Sequence, residues 1–268
     1  MSKIDKKYHK LLKKILKKGT KYEDPNRKGV QRIQIPSYTI KHDFKDGFPA
    51  ITTKKLYWKG VVGELIWFLR GDTNIKYLVN NGINIWNKDA YNYHLKSTNE
   101  KCSSLKEYIE VVKNSNPSYG NLGRVYGAQW RDWKGFKHGL FADFDNGVHD
   151  EMKKGLDQIS ILIKGLKENP MSTQHIVTAW NPAELDDMAL PPCHWSFEIL
   201  VEPRSHKELK EELSNLGAVY SLNMNTSQFE AFCFKRWKLP KYQFTLKWHQ
   251  RSVDTFLGLP FNIASYAL

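Results

Sequence analysis

Apolar residues recur at helical spacing near the start of the chain. Ile4, Tyr8, Leu11, Leu12 and Ile15 share one stripe, and lysines fill the other faces. The spacing predicts a packed amphipathic helix over residues 3–18, stopped by Gly19. Residues 56–70, LYWKGVVGELIWFLR, form a strongly apolar helix candidate that carries one acid, Glu64. Another helix is predicted over 75–81, with Gly82 as its stop. Residues 157–167 put Ile159, Leu162, Ile163 and Leu166 on one face, with Pro170 just beyond. Aromatic and β-branched runs predict strands at 175–180, 195–201, 219–223 and 242–249. A charged helical insert, PRSHKELKEELSNL, interrupts them at 203–216. Residues 91–120 and 134–156 are polar and aperiodic and read as surface insertions. Helices and strands interleave without a regular βαβ period, which favours an α+β fold.

Composition narrows the class. The chain has 268 residues, 41% of them hydrophobic and 13% aromatic, which suits one sizeable domain carrying insertions. No apolar run reaches the roughly 18 residues of a membrane span, and MSKIDKKYHK has no apolar secretory stretch. Cys102, Cys193 and Cys233 are odd in number and widely spaced. That argues against a disulfide framework and against a metal site, and for a reducing, cytoplasmic location. The net charge of +13 would suit nucleic acid or a smaller polyanion such as a nucleotide or a polyglutamylated cofactor. Because the lysines are spread out, it also fits a solvated surface.

The most informative short segment is Ala189-Leu190-Pro191-Pro192-Cys193-His194. Two prolines stiffen the backbone before the cysteine and place it where a loop enters a strand. Such a cysteine is either a buried inert thiol or a nucleophile, and a nucleophile needs a cationic setting to favour the thiolate. His194 is not its base on this reading, because neighbours on a strand point to opposite faces. Arg251 is the better electrostatic partner. Farther on, LGLPFNIASYA sets Asn262 at a proline turn opening an apolar helix, where an asparagine can be a helix cap or a two-way hydrogen-bonding amide.

PPCH followed by QRSxDxFLGLPFNIASYA resembles the two signature segments of the thymidylate synthase family. DGFPAITTKK, GELIWFLRGDTNI, INIWNKDA, GRVYGAQWRDW and HIVTAWNPAELDDMALPPCHW follow in the family order. The resemblance covers most of residues 19–268, apart from insertions near 91–120, 134–156 and 203–241. It implies a single catalytic domain with a mixed, mainly antiparallel sheet packed with helices, one sheet face being used to form a homodimer. It also implies that a one-carbon unit passes from 5,10-methylenetetrahydrofolate to carbon 5 of dUMP, with no metal.

Residue by residue, the resemblance makes Cys193 the nucleophile and Glu64 the proton relay. Tyr126 and His194 become neighbours that position the nucleophile or its waters. Asn262 reads the uracil edge, and Arg27, Arg251, Ser252 and Gln250 belong to the nucleotide site. Lys54 meets the glutamate tail of the folate, Trp86 packs on the folate, and Asp254 bonds its pterin; by itself Trp86 also suits plain core.

Two departures stand out. The paired arginines that one family subunit lends to its partner's phosphate site are replaced by Thr173 and Gln174. The sequence also stops at Leu268, inside the helix after Asn262, so the domain is expected to lack its C-terminal part. The leading expectation is dTMP formation. The alternatives are hydroxymethylation of dUMP and, in another class, a non-catalytic RNA-binding or inactive fragment.

Overall fold

The computed structural model describes residues 1–25, 28–98, 102–114, 119–134 and 155–268. Helix α1 (Lys3–Lys18) is capped by Ser2 and buries Ile4, Tyr8 and Leu11, the predicted stripe. A small antiparallel ribbon follows, β1 (Thr20–Glu23) with β2 (Gln31–Gln34). Then come α2 (Trp58–Leu69) and α3 (Lys76–Asn80), close to the bounds expected from their apolar patterns.

The stretch expected as polar surface from 91 to 120 is helical and partly core. It contains most of α4 (Asn87–Ser97) and all of α5 (Leu105–Asn114), and Tyr108 and Val112 of α5 are fully buried. Leu105, Tyr108, Ile109 and Val112 share one face, a short helical period hidden between polar flanks. Of 134–156, residues 135–154 lie outside the described residues; the segments bordering them meet in a bridge between Trp133 and Leu156.

Helices α6 (Tyr126–Arg131) and α7 (Gln158–Glu168) pack beside a three-stranded antiparallel sheet. The sheet runs β3 (Ile176–Thr178), β4 (His194–Pro203), β5 (Tyr242–Gln250), with β4 central. Between β4 and β5 lie α8 (His206–Asn215), the predicted charged helix, and α9 (Thr226–Ala231), extended by a π-helical turn at Phe232–Arg236. The strand expected at 219–223 does not form. That segment links α8 to α9, with Val219 93% and Leu222 90% exposed. Helix α10 (Leu259–Tyr266) packs on α2.

The helices and the small antiparallel sheets make an α+β fold. One core gathers α2, α3, α5, α6 and the inner sheet face around Trp67, Phe68, Tyr126 and Phe197. A second joins α1 to Ile51, Leu259 and Ile263. A third lies inside the insert, among Leu209, Leu213, Phe229, Cys233 and Leu239.

Candidate active site

Helix α2 carries Glu64 into the main core because it can come close to the segment before α4. A Cβ on Gly63 would lie 2.2 Å from Ile83 Cδ1, so any larger residue there would have to push the Ile83 methyl aside. Three residues beyond Ile83, the indole of Trp86 donates to Glu64 Oε1 at 2.7 Å. Apolar surroundings disfavour the carboxylate and push Glu64 up to about 7, while the indole N–H works the other way. Glu64 is thus an acid poised near neutrality, suited to taking and returning a proton.

Cys193 sits at the mouth of β4, half-buried. Its backbone N–H donates to the Tyr126 hydroxyl at 2.7 Å. Arg251 grips the same turn. Its Nε donates to Pro192 O at 2.9 Å, its Nη2 to Pro191 O at 2.9 Å, and its backbone N–H to Cys193 O at 2.9 Å. The guanidinium also lies over the Trp180 ring, 5.2 Å from its centre. Burial raises the Cys193 thiol, the Arg251 cation opposes that, and Asp89 adds to the rise. The two prolines therefore do more than stiffen the loop: their carbonyls anchor the cation beside the sulfur.

His194 points away into an aromatic box. Its ring stacks on Tyr126 with centroids 4.2 Å apart and planes at 19°, and its Nδ1 lies 2.8 Å from the Tyr266 hydroxyl. Burial lowers His194 to about 4, so the ring is neutral at pH 7. A register irregularity between His194 and Ser196 marks where β4 leaves the regular ladder with β5. Tyr126 is raised well above its usual value by burial, then by Cys193, and Glu64 also contributes. It therefore feels both the thiol and the carboxylate.

Below the cysteine turn, a buried ionic network ties α6 to the 3-10 turn Pro182–Asp187. Glu184 accepts from Arg124 Nε at 2.8 Å and from Gln129 Nε2 at 2.7 Å. This sets the start of α6, and hence Tyr126, against the chain leading to Cys193.

The turn after β5 holds a second group. Asp254 Oδ1 accepts from the N–H groups of Phe256 at 2.9 Å and Leu257 at 2.7 Å. Lys54 donates to Phe256 O at 3.1 Å and lies over the Phe256 and Phe261 rings at 5.1 and 5.3 Å. Gln250, opposite His194 in the ladder, accepts from Trp248 Nε1 at 3.3 Å, while its own Nε2 is buried without a protein partner.

Asn262 is not a helix cap. Gly258 holds that position, and Asn262 lies within α10 with its N–H on Gly258 O at 3.1 Å. The cap alternative fails because Pro260 takes the first turn, where a missing N–H costs nothing. Trp86 is 7% exposed and packs against Trp67 and Tyr126, so its indole serves the core and Glu64. Ser252, Thr173 and Gln174 are exposed, the last two in a turn before β3 and apart from the Cys193 cluster in sequence. Arg27 lies outside the described residues.

Sequence reasoning missed Tyr266, Asp89 and the Arg124–Glu184 network. Tyr266 had a signal, because it stands one helical turn after Asn262 in the segment that also supplies Asp254. Glu184 and Asp89 had none, since their partners are distant in sequence or on another element.

Comparison with known proteins gives the family. Residues 6–268 match the family model described as thymidylate synthase. A thymidylate synthase of Mesoplasma florum is 37% identical over 266 residues, 98% of this chain and 72% of that protein. Those of Mycoplasma genitalium and Mycoplasma pneumoniae are each 38% identical, covering 98% and 97% of this chain and 72% and 71% of their own lengths. The chain is an α+β enzyme of the methyltransferase class. It belongs to the thymidylate synthase family.

Proposed function

We propose that the protein transfers a one-carbon unit from 5,10-methylenetetrahydrofolate to carbon 5 of dUMP, forming dTMP. The observation that carries this reading is the pairing of a cysteine anchored by Arg251 and Tyr126 with a carboxylate tuned to about 7, both within electrostatic reach of that tyrosine.

Cys193 attacks carbon 6 of the pyrimidine as the thiolate, which the Arg251 cation favours against burial. Attack makes carbon 5 nucleophilic. Glu64 carries protons around the ring, and Tyr126 and His194 hold the nucleophile's surroundings. Asn262 offers an amide that both donates and accepts, matching one edge of uracil; a carboxylate there would suit the amino group of cytosine. Arg251, Arg27, Ser252 and Gln250 form the nucleotide side, with guanidinium groups suited to phosphate.

Exposed apolar groups beside the turn, including Leu257 at 64% and Phe256, suit a flat aromatic ligand, and the unpartnered Gln250 Nε2 suits a polar ligand edge. Lys54 and Asp254 make up the folate side, and Trp86, buried in the core, acts on it through its bond to Glu64. The folate supplies the one-carbon unit and the hydride that reduces it to a methyl group. With Thr173 and Gln174 in place of arginines, the phosphate depends on the remaining cations.

The same reading makes the protein a homodimer through the outer sheet face. There Ile176 is exposed, Trp195 packs on His249 at 5.4 Å, and Glu198 pairs with Lys247 at 3.2 Å. Sedimentation at monomer mass across micromolar concentrations would count against this. The insertions near 91–120, 134–156 and 203–241 are additions to a single catalytic domain.

Incubation with dUMP and methylenetetrahydrofolate tests the chemistry. Formation of dTMP with dihydrofolate is expected. Formation of 5-hydroxymethyl-dUMP with tetrahydrofolate would assign the hydroxymethylase reaction instead. Cys193→Ser should abolish turnover and leave dUMP binding within a few-fold, measured by calorimetry; retained turnover would remove Cys193 from the nucleophile role.

A further inference from the structure

Tyr266 lies in the last turn of α10 and meets His194 edge-on, whereas Tyr126 stacks on the ring's face. Its ring is held by packing. It stacks on Trp248 with centroids 5.3 Å apart and planes at 7°, and meets Phe197 edge-on at 5.9 Å. Phe68 closes the box at 6.2 Å from the imidazole. These rings fix the plane of His194, but aromatic faces do not decide which ring nitrogen carries the proton. Among the described residues, the contact of 2.8 Å between His194 Nδ1 and Tyr266 Oη is the one that can do that.

Two arrangements satisfy that distance. In one the phenol donates to a bare Nδ1. In the other Nδ1–H donates, and the phenol proton needs a different acceptor. Among the described residues, His194 Nδ1 is the one hydrogen-bonding partner of the phenol. The phenol keeps its proton, because burial and then the Glu64 charge raise it far above its usual value. A phenol O–H is the better donor of the pair and a bare imidazole nitrogen the better acceptor, and both groups are half-buried and in contact, so the first arrangement wins.

We propose that Tyr266 is a positioning residue that donates to His194 Nδ1 and locks the imidazole as the Nε2–H tautomer, so that His194 serves the site as an oriented hydrogen-bond donor. A donor of this kind suits a pyrimidine carbonyl oxygen or a water bound to it. It cannot take the Cys193 proton, because Nδ1 is engaged and Nε2 is already protonated. Proton carriage is left to Glu64. The functional half of this inference rests on the proposed reaction; the tautomer itself does not.

Long-range proton–nitrogen NMR on protein labelled with 15N-histidine reads the tautomer directly, with His194→Gln used to assign the signal. The wild-type protein should show a bare Nδ1 and a protonated Nε2. Tyr266→Phe keeps the ring on Trp248 and removes the donor. It should mix the tautomers and lower kcat about tenfold, the value of one hydrogen bond, with KM for dUMP nearly unchanged. A protonated Nδ1 in the wild type would overturn the proposal, and that measurement requires neither the variant nor turnover. An unchanged tautomer in Tyr266→Phe would also overturn it, and an unchanged kcat would overturn its functional half. Failure of the wild type to form dTMP, with the tautomer as stated, would strike the proposed reaction alone.

Discussion

Glu64 shows how one side chain can serve chemistry against stability. Its folded-state value, about 7, lies above the ordinary 4.5 of an unfolded glutamate, because burial disfavours the charge. Its contribution to stability is therefore fully present below about pH 4.5 and is lost as the pH rises through about 7. Glu64→Gln keeps the size and can still accept from the Trp86 indole, but removes the buried charge. At pH 8–9 the variant should be more stable than the wild type by roughly 1–3 kcal/mol, and near pH 5 the two should converge. Thermal melting across that range checks it. Equal melting temperatures at pH 9 would mean that solvent reaches the carboxylate. The same variant should lose most of its activity, since an amide cannot carry a proton.

At the scale of elements, the site depends on close approaches between helices and on buried polar contacts that brace them. The Tyr108 hydroxyl of α5 accepts from the Gly120 N–H at 3.0 Å and donates to Ala90 O of α4 at 3.2 Å, all within the core. Tyr108→Phe leaves a buried donor unpaired and should cost about 1–3 kcal/mol in denaturant unfolding. A change below a few tenths of a kcal/mol would show that water reaches the Gly120 N–H. The α5 segment was hard to recognise because its apolar face is only ten residues long and lies between polar stretches. The opposite error occurred at 219–223. Its apolar residues suggested a strand, but a strand needs a partner edge, and among the described residues this segment pairs with none of the strands in the two sheets.

The whole molecule has parts that should yield separately. The insert core around Leu213 shares no buried residue with the main core around Trp67. Leu213→Ala should remove about 2–5 kcal/mol of local stability. Hydrogen exchange should quicken for amides in 206–239 and stay unchanged in α2; loss of protection throughout would mean that the molecule unfolds as one unit. The net charge of +13 acts at this scale too. On the proposed reaction, KM for dianionic dUMP should rise with ionic strength as the protein's field is screened. A KM independent of salt would confine nucleotide attraction to contact charges.

The sequence by itself determined which residues were chemically suited to the site. Helix periods, prolines and the order of motifs are local facts, so the long helices, the loop-to-strand cysteine and the family could be read without coordinates. It marked Arg251 as the cation for Cys193, and it separated His194 from the thiol through strand alternation. Tertiary structure decided the protonation of these groups. Whether Glu64 stands near 7, whether His194 is neutral and which residue faces its Nδ1 depend on burial and on partners far along the chain, such as Tyr266, 72 residues from His194. A side chain's chemistry is written in its type. Its charge state and aim are set by the dielectric and the neighbours that folding gathers around it.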